Sequence, residues 1–368
     1  MTNRQAGFPV PDNRYRDTFN QTIGETIAQA VRIIGQDPAL FITGSVILHY
    51  QKKAAVIRKR LEQQGLLVPP VMILSITSRC NLTCAGCYMH GREEKPAAEM
   101  SPSVLASAVS QAAELGVSVI VIAGGEPLVR KEEILALARA HPSILFPVFS
   151  NGLLIDETTA TAIAACHNIV PVISFEGFRE ETDARRGRGV FDRLLAVAAR
   201  LKARGVFFGC SVTTTKENFA RVTDHAFVQE MRKAGVRVFT YVEYVPMQNG
   251  TNALILTHEQ KKTLQVVLAD FNHNFPAVFI GFPGDEDTYG GCLAAGRGFV
   301  HVNPSGGLEP CPAAPYSDAN LTDVPLAEAL RSRLLGRLRE TPEVLAETKG
   351  GCALRANRAW VEGLFSHE

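Results

Sequence analysis

VSVIVIAGGEPLVRKEEILALARAHPSILFPVFSNG, residues 117–152, reads as a strand, a glycine turn, a helix and a second strand. The apolar runs VSVIVIAGGEP (117–127) and ILFPVFSNG (144–152) are short and apolar on both faces. KEEILALARAH, between them, has the spacing of an amphipathic helix. Two-sided strands joined by a helix imply a parallel sheet, because only there are both faces covered.

The rhythm extends both ways. VMILSIT (71–77) is an apolar run ahead of the quoted stretch, and SPSVLASAVSQAAELG (101–116) is a helix with Pro102 in its first turn and a closing glycine. IVPVISFEG (169–177), VFFGCSVTT (206–214) and VRVFTYVEYVP (236–246) follow, each after a helical segment. Six strands in alternation predict an α/β chain, with a partial (β/α)6 TIM-like barrel over residues 70–255. Residues 1–69 read as an N-terminal helical segment ended by Pro69-Pro70, and 256–368 as a small C-terminal domain.

Composition narrows the function. The 368 residues are 46% hydrophobic with a formal net charge of +1, a globular chain with no global charge to draw nucleic acid. MTNRQAGFPVPDNRYRD lacks the apolar core of a secretory signal, and ALFITGSVILHY (39–50) is shorter than a membrane span. The expected location is therefore cytoplasmic, where thiols stay reduced. The eight cysteines then read as ligands or catalysts before disulfides.

CNLTCAGC (80–87), GGEP, SNG, SFEG and the segment closing YVEYVP all stand at the C-terminal ends of predicted strands, where parallel α/β folds build their sites. Cys80, Cys84 and Cys87 cannot alone complete a tetrahedral zinc site. A [4Fe–4S] cluster needs thiolates on three irons and can leave the fourth iron open. The CX3CX2C spacing after the first strand, with GGEP after the second, resembles the radical S-adenosylmethionine (SAM) superfamily.

That resemblance, carried by residues 71–250, implies a [4Fe–4S] cluster that chelates SAM and reduces it to a 5′-deoxyadenosyl radical. It also implies an electron donor such as flavodoxin or ferredoxin. Gly124, Gly125, Glu126 and Pro127 match the stretch that receives the methionine ammonium, and Ser150 and Asn151 the polar pair near the ribose. Ser174 and Glu176 resemble the SxDG stretch, Arg186 falls where relatives bind the SAM carboxylate, and Asn218 resembles a family asparagine or caps a helix. Val245, at the end of the predicted sixth strand, is a further candidate for cofactor binding. The family's usual aromatic before the third cysteine is here Gly86, for which Tyr88 is the candidate substitute.

Cys166 and Cys210 read as core residues. Cys292, Cys311 and Cys352 lie in glycine- or proline-rich stretches, and the CX13GX4C spacing from Cys292 resembles the opening of a SPASM domain. The CX2CX5CX3C portion is missing, so the resemblance is to a shortened, twitch-like domain with one auxiliary [4Fe–4S] cluster. Asp285, Glu286, Asp287 or Tyr289 are candidates for its fourth ligand, or the site is open to substrate.

The basic HYQKKAAVIRKR (49–60) beside ALFITGSVILHY suggests peripheral membrane contact and a lipid or small-molecule substrate. The ordinary reading is that these helices cap the barrel. Alternatives are a modifier of a ribosomally synthesised peptide, or a non-catalytic Fe–S electron carrier or assembly protein. GGEP, SNG and Arg186 speak against a carrier.

Overall fold

The computed structural model describes residues 14–35, 38–92, 98–282, 289–341, 344–346 and 352–364. Among them nine strands form one sheet: β1 (Val71–Ser75), β2 (Val119–Ala123), β3 (Phe146–Ser150), β4 (Ile169–Phe175), β5 (Gly209–Thr214), β6 (Val238–Glu243), β7 (Val278–Phe282), β8 (Phe299–Val302) and β9 (Leu308–Glu309). Their order is β7-β6-β5-β4-β3-β2-β1-β8-β9, an open sheet curled into a half-barrel. Every pairing is parallel except β8 with β9.

Among the described residues the helices are α1 (Arg14–Ile34), α2 (Pro38–Gln63), α3 (Pro102–Glu114), α4 (Lys131–Ala140), α5 (Glu157–Ala164), α6 (Arg179–Arg186), α7 (Val190–Ala203), α8 (Phe219–Val222), α9 (His225–Ala234), α10 (His258–Asn274), α11 (Leu326–Ala329), α12 (Arg333–Glu340), α13 (Ala353–Ala356) and α14 (Arg358–Gly363). Their starts follow from sequence. Ser101 accepts from Val104 N ahead of α3, and Asp156 accepts from Thr159 N ahead of α5. Buried Leu105, Val109, Leu194, Val197, Leu201 and Met231 pack on the outer face of strands whose residues are themselves mostly buried.

The six expected strands are present as β1–β6, and among the described residues three more join the sheet. VFIGF, after α10, joins β6, and FVHV joins β1 on its other side. Both are short, and His301 interrupts the apolar pattern of the second, so neither stood out as a strand.

The first two helices cover the N-terminal ends of the strands. Tyr50 Oη donates to Ala113 O at 2.5 Å, Ser118 Oγ to Gln51, Arg58 to the Gly116 carbonyl, and Gln29 Nε2 to Ala277 O at 3.1 Å. Each partner lies just before a strand or its helix–strand turn. These helices therefore cap the barrel on the side away from the loops that follow the strands. Among the described residues, no helix is long and apolar enough to cross a membrane.

Candidate active site

The loop after β1 carries Cys80, Cys84 and Cys87, and the GGEP turn after β2 is bonded directly to it. Gly125 N donates to Thr77 O and Glu126 N to Arg79 O, each at 2.8 Å. Glycine is required there: a Cβ on Gly124 would meet Thr77 O at 2.4 Å, and one on Gly125 would meet Arg79 O at 2.3 Å. Pro127, buried, opens the short 3-10 turn that follows. Glu99 holds the loop's other side, accepting from Thr77 Oγ1 at 2.6 Å and Ser78 N at 2.9 Å.

Glu126 is fully buried. Its Oε1 accepts from Ser150 Oγ at 2.8 Å and Leu128 N at 3.0 Å, and its Oε2 accepts from Asn151 N at 2.7 Å. Burial pushes its carboxyl above the usual range against these three donors. Asn151 reaches back to the cysteine loop, donating to Asn81 Oδ1 at 2.7 Å with Nδ2 3.8 Å from Cys80 Sγ. Glu126, Ser150 and Asn151 thus tie the ends of β2 and β3 to the cysteine loop.

The ends of β4 and β5 are tied the same way. Buried Glu176 accepts from Arg186 Nε at 2.8 Å and Thr213 N at 3.0 Å, and also pairs with Arg186 Nη2. Arg186 Nη1 lies 3.9 Å from Cys84 Sγ. Burial raises the Cys84 thiol, and the Arg186 charge pulls it back. The Cys80 thiol is raised by burial, with the charges of Glu126, Cys84 and Cys87 adding to it. Asn218 stands at the N-cap of α8 but makes no side-chain cap bond: its Nδ2 donates to Glu176 O and Thr213 O, each at 2.9 Å. Ser174 accepts from Ser211 Oγ at 3.2 Å.

Tyr88 turns its hydroxyl toward Gly124 O, 3.4 Å away, and burial pushes its phenol up to about 12. The ring that lies against Gly86 belongs instead to Tyr244, just after β6, and Val245 beside it is half-buried. Tyr244 was not among the sequence candidates, because nothing local links residue 244 to residue 86.

Cys292, Cys311 and Cys352 are each buried. Burial raises the Cys311 thiol well above its ordinary range, and the charges of Cys352 and Cys292 add to it, so both lie within electrostatic reach of Cys311. Tyr289 donates to Thr22 Oγ1 at 3.2 Å, toward α1. Asp285, Glu286 and Asp287 lie outside the described residues.

A buried polar chain missed by sequence joins the two cysteine regions. Ser75 Oγ is 2.8 Å from His301 Nε2, His301 Nδ1 is 2.7 Å from Glu309 Oε2, and Glu309 pairs with Arg92. Its available signal was a histidine and a glutamate within apolar β8 and β9.

Among the described residues, no three His, Cys, Asp or Glu side chains converge on a single ion. Three thiols are the donor set of a cluster with one open iron. A family model, the radical SAM superfamily, matches residues 74–227. The chain carries a radical SAM domain. A radical SAM domain takes a [4Fe–4S] cluster and SAM, which fits the three thiols among buried polar groups at the strand ends.

The similarity continues past the radical SAM domain. PqqA peptide cyclase of Gluconobacter oxydans (strain 621H) is 28% identical over 273 residues, 71% of this chain and 76% of that protein. AdoMet-dependent heme synthase of Methanosarcina barkeri (strain Fusaro / DSM 804) is 24% identical over 312 residues, 78% of this chain and 88% of that protein. The crystal structure of Streptococcus suis SuiB bound to S-adenosylmethionine shares the fold, with a TM-score of 0.64 at 20% identity. The match covers 83% of this chain and 77% of that one.

Proposed function

We propose that this radical SAM enzyme modifies a ribosomally made precursor peptide, with an auxiliary [4Fe–4S] cluster on Cys292, Cys311 and Cys352. The observation that carries the reading is the similarity to PqqA peptide cyclase, which spans 71% of the chain and so extends beyond the radical SAM domain. The lipid substrate suggested by the N-terminal helices is replaced by this one. Those helices pack on the barrel's far side through Tyr50, Gln51 and Arg58.

Cys80, Cys84 and Cys87 would hold the cluster that, when bound, supplies one electron to SAM and so a hydrogen-abstracting 5′-deoxyadenosyl radical. The rest falls to the protein. Arg186, fixed by Glu176, sets a positive charge beside Cys84 where the SAM carboxylate would bind. The GGEP backbone and the Glu126 network hold the strand ends rigid around the ligand.

A second reading is chemistry on a porphyrin, favoured by the heme synthase match covering 78% of this chain and 88% of that protein. One assay separates the two. Reconstituted protein is incubated with SAM, dithionite and either a short peptide encoded beside its gene or an iron porphyrin, and products are read by mass spectrometry. Loss of two hydrogens from the peptide, with 5′-deoxyadenosine formed, is expected. An unchanged peptide and a converted porphyrin would overturn the peptide reading.

A further inference from the structure

We propose that Tyr244 donates a hydrogen bond from its phenol to the cluster held by Cys80, Cys84 and Cys87, and so sets how readily that cluster is reduced. The proposal rests on a cluster at those cysteines and is independent of the substrate. Tyr244 is 4% exposed, and its hydroxyl has no hydrogen-bond partner among the described residues. An unpaired buried donor is costly, so such a group points to something that completes it.

Gly86 gives the direction. A Cβ built on Gly86 lies 2.8 Å from the Tyr244 hydroxyl oxygen and 3.0 Å from its Cε2. Gly86 stands between Cys84 and Cys87, so the hydroxyl reaches the stretch of loop between two thiols. The loop is shaped to admit it, because Gly86 has φ of +65° and no side chain to displace the ring.

The segment bearing Tyr244 is itself anchored. Tyr244 N donates to Thr214 O at 3.0 Å, Met247 fills the space at Gly91, and Gln248 Nε2 donates to the Cys87 carbonyl at 3.4 Å. The phenol is therefore held against the loop from the end of β6. Cluster sulfurs are acceptors that carry negative charge, and hydrogen bonds to them are among the factors that set the reduction potential. A donor there stabilises the reduced, more negative state and raises the potential.

Wild type and Tyr244→Phe are reconstituted anaerobically with iron and sulfide and titrated electrochemically without SAM, followed by electron paramagnetic resonance. The signal that changes when SAM is added afterwards identifies the cluster in question. We expect equal iron content and equal SAM affinity by calorimetry, with the midpoint potential of the Phe variant more negative. An unchanged potential overturns the proposal. Weaker SAM binding at unchanged potential also overturns it and assigns the phenol to SAM. A wild type that takes up no iron would instead remove the cluster itself, a failure of the site rather than of Tyr244.

Discussion

Arg186 divides its guanidinium between two neighbours. Nε and Nη2 hold Glu176, while Nη1 faces Cys84. A planar fork can do both at once, and an ammonium cannot. Arg186→Lys keeps the charge but loses one arm, so we expect the SAM dissociation constant to rise by about tenfold, which is ~1.4 kcal/mol. Iron content should stay the same. Arg188, exposed two residues on, is the control, and Arg188→Ala should bind SAM as wild type does. Equal effects at both positions, measured by calorimetry, would show that Arg186 makes no contact with SAM. The sequence placed Arg186 at this site but did not show its pairing with Glu176, which joins α6 to the end of β4 and exists only once the two are packed.

The cysteine loop is held as an element, from the inside by GGEP and from the outside by Glu99. Burial alone would raise the Glu99 carboxyl, but bonds from Thr77 Oγ1 and Ser78 N, with Arg79 and Arg130 nearby, hold it below the ordinary value of 4.5. A lowered carboxyl adds stability that is present above its unfolded pKa and is lost as pH falls through the folded one. Glu99→Gln should therefore cost about 1–2 kcal/mol in denaturant titrations at pH 7. The gap to wild type should close as the pH falls through the lowered folded value, below 4.5, where the wild-type carboxyl protonates. A gap that persists unchanged at acid pH would show that Glu99 acts by shape rather than charge. At this scale much was legible. GGEP, SNG and CNLTCAGC end apolar runs, and the fold puts them together. Glu99 was not legible, because it sits in an unpatterned connection.

For the whole molecule, the βα rhythm revealed six strands, while β7 and β8 stayed hidden in short runs after the alternation had loosened. Their effect is large. β8 and β9 carry the chain from Cys292 to Cys311 along the edge of β1, so the second cysteine set is built against the radical SAM domain. The Ser75–His301–Glu309–Arg92 chain links the two regions. Replacing Cys292, Cys311 and Cys352 together should lower bound iron by one cluster, or about four irons. SAM cleavage should remain measurable while product formation falls much further. Unchanged iron would show that these cysteines hold no cluster.

The most direct measurement is made on the first cysteine set. Wild type and a variant with Cys80, Cys84 and Cys87 all changed to Ala are reconstituted anaerobically, assayed for iron, and given SAM and dithionite. Wild type should hold about eight irons in two clusters and release 5′-deoxyadenosine. The variant should hold about four irons and release none. Wild-type amounts of 5′-deoxyadenosine from the variant would contradict SAM cleavage at Cys80, Cys84 and Cys87.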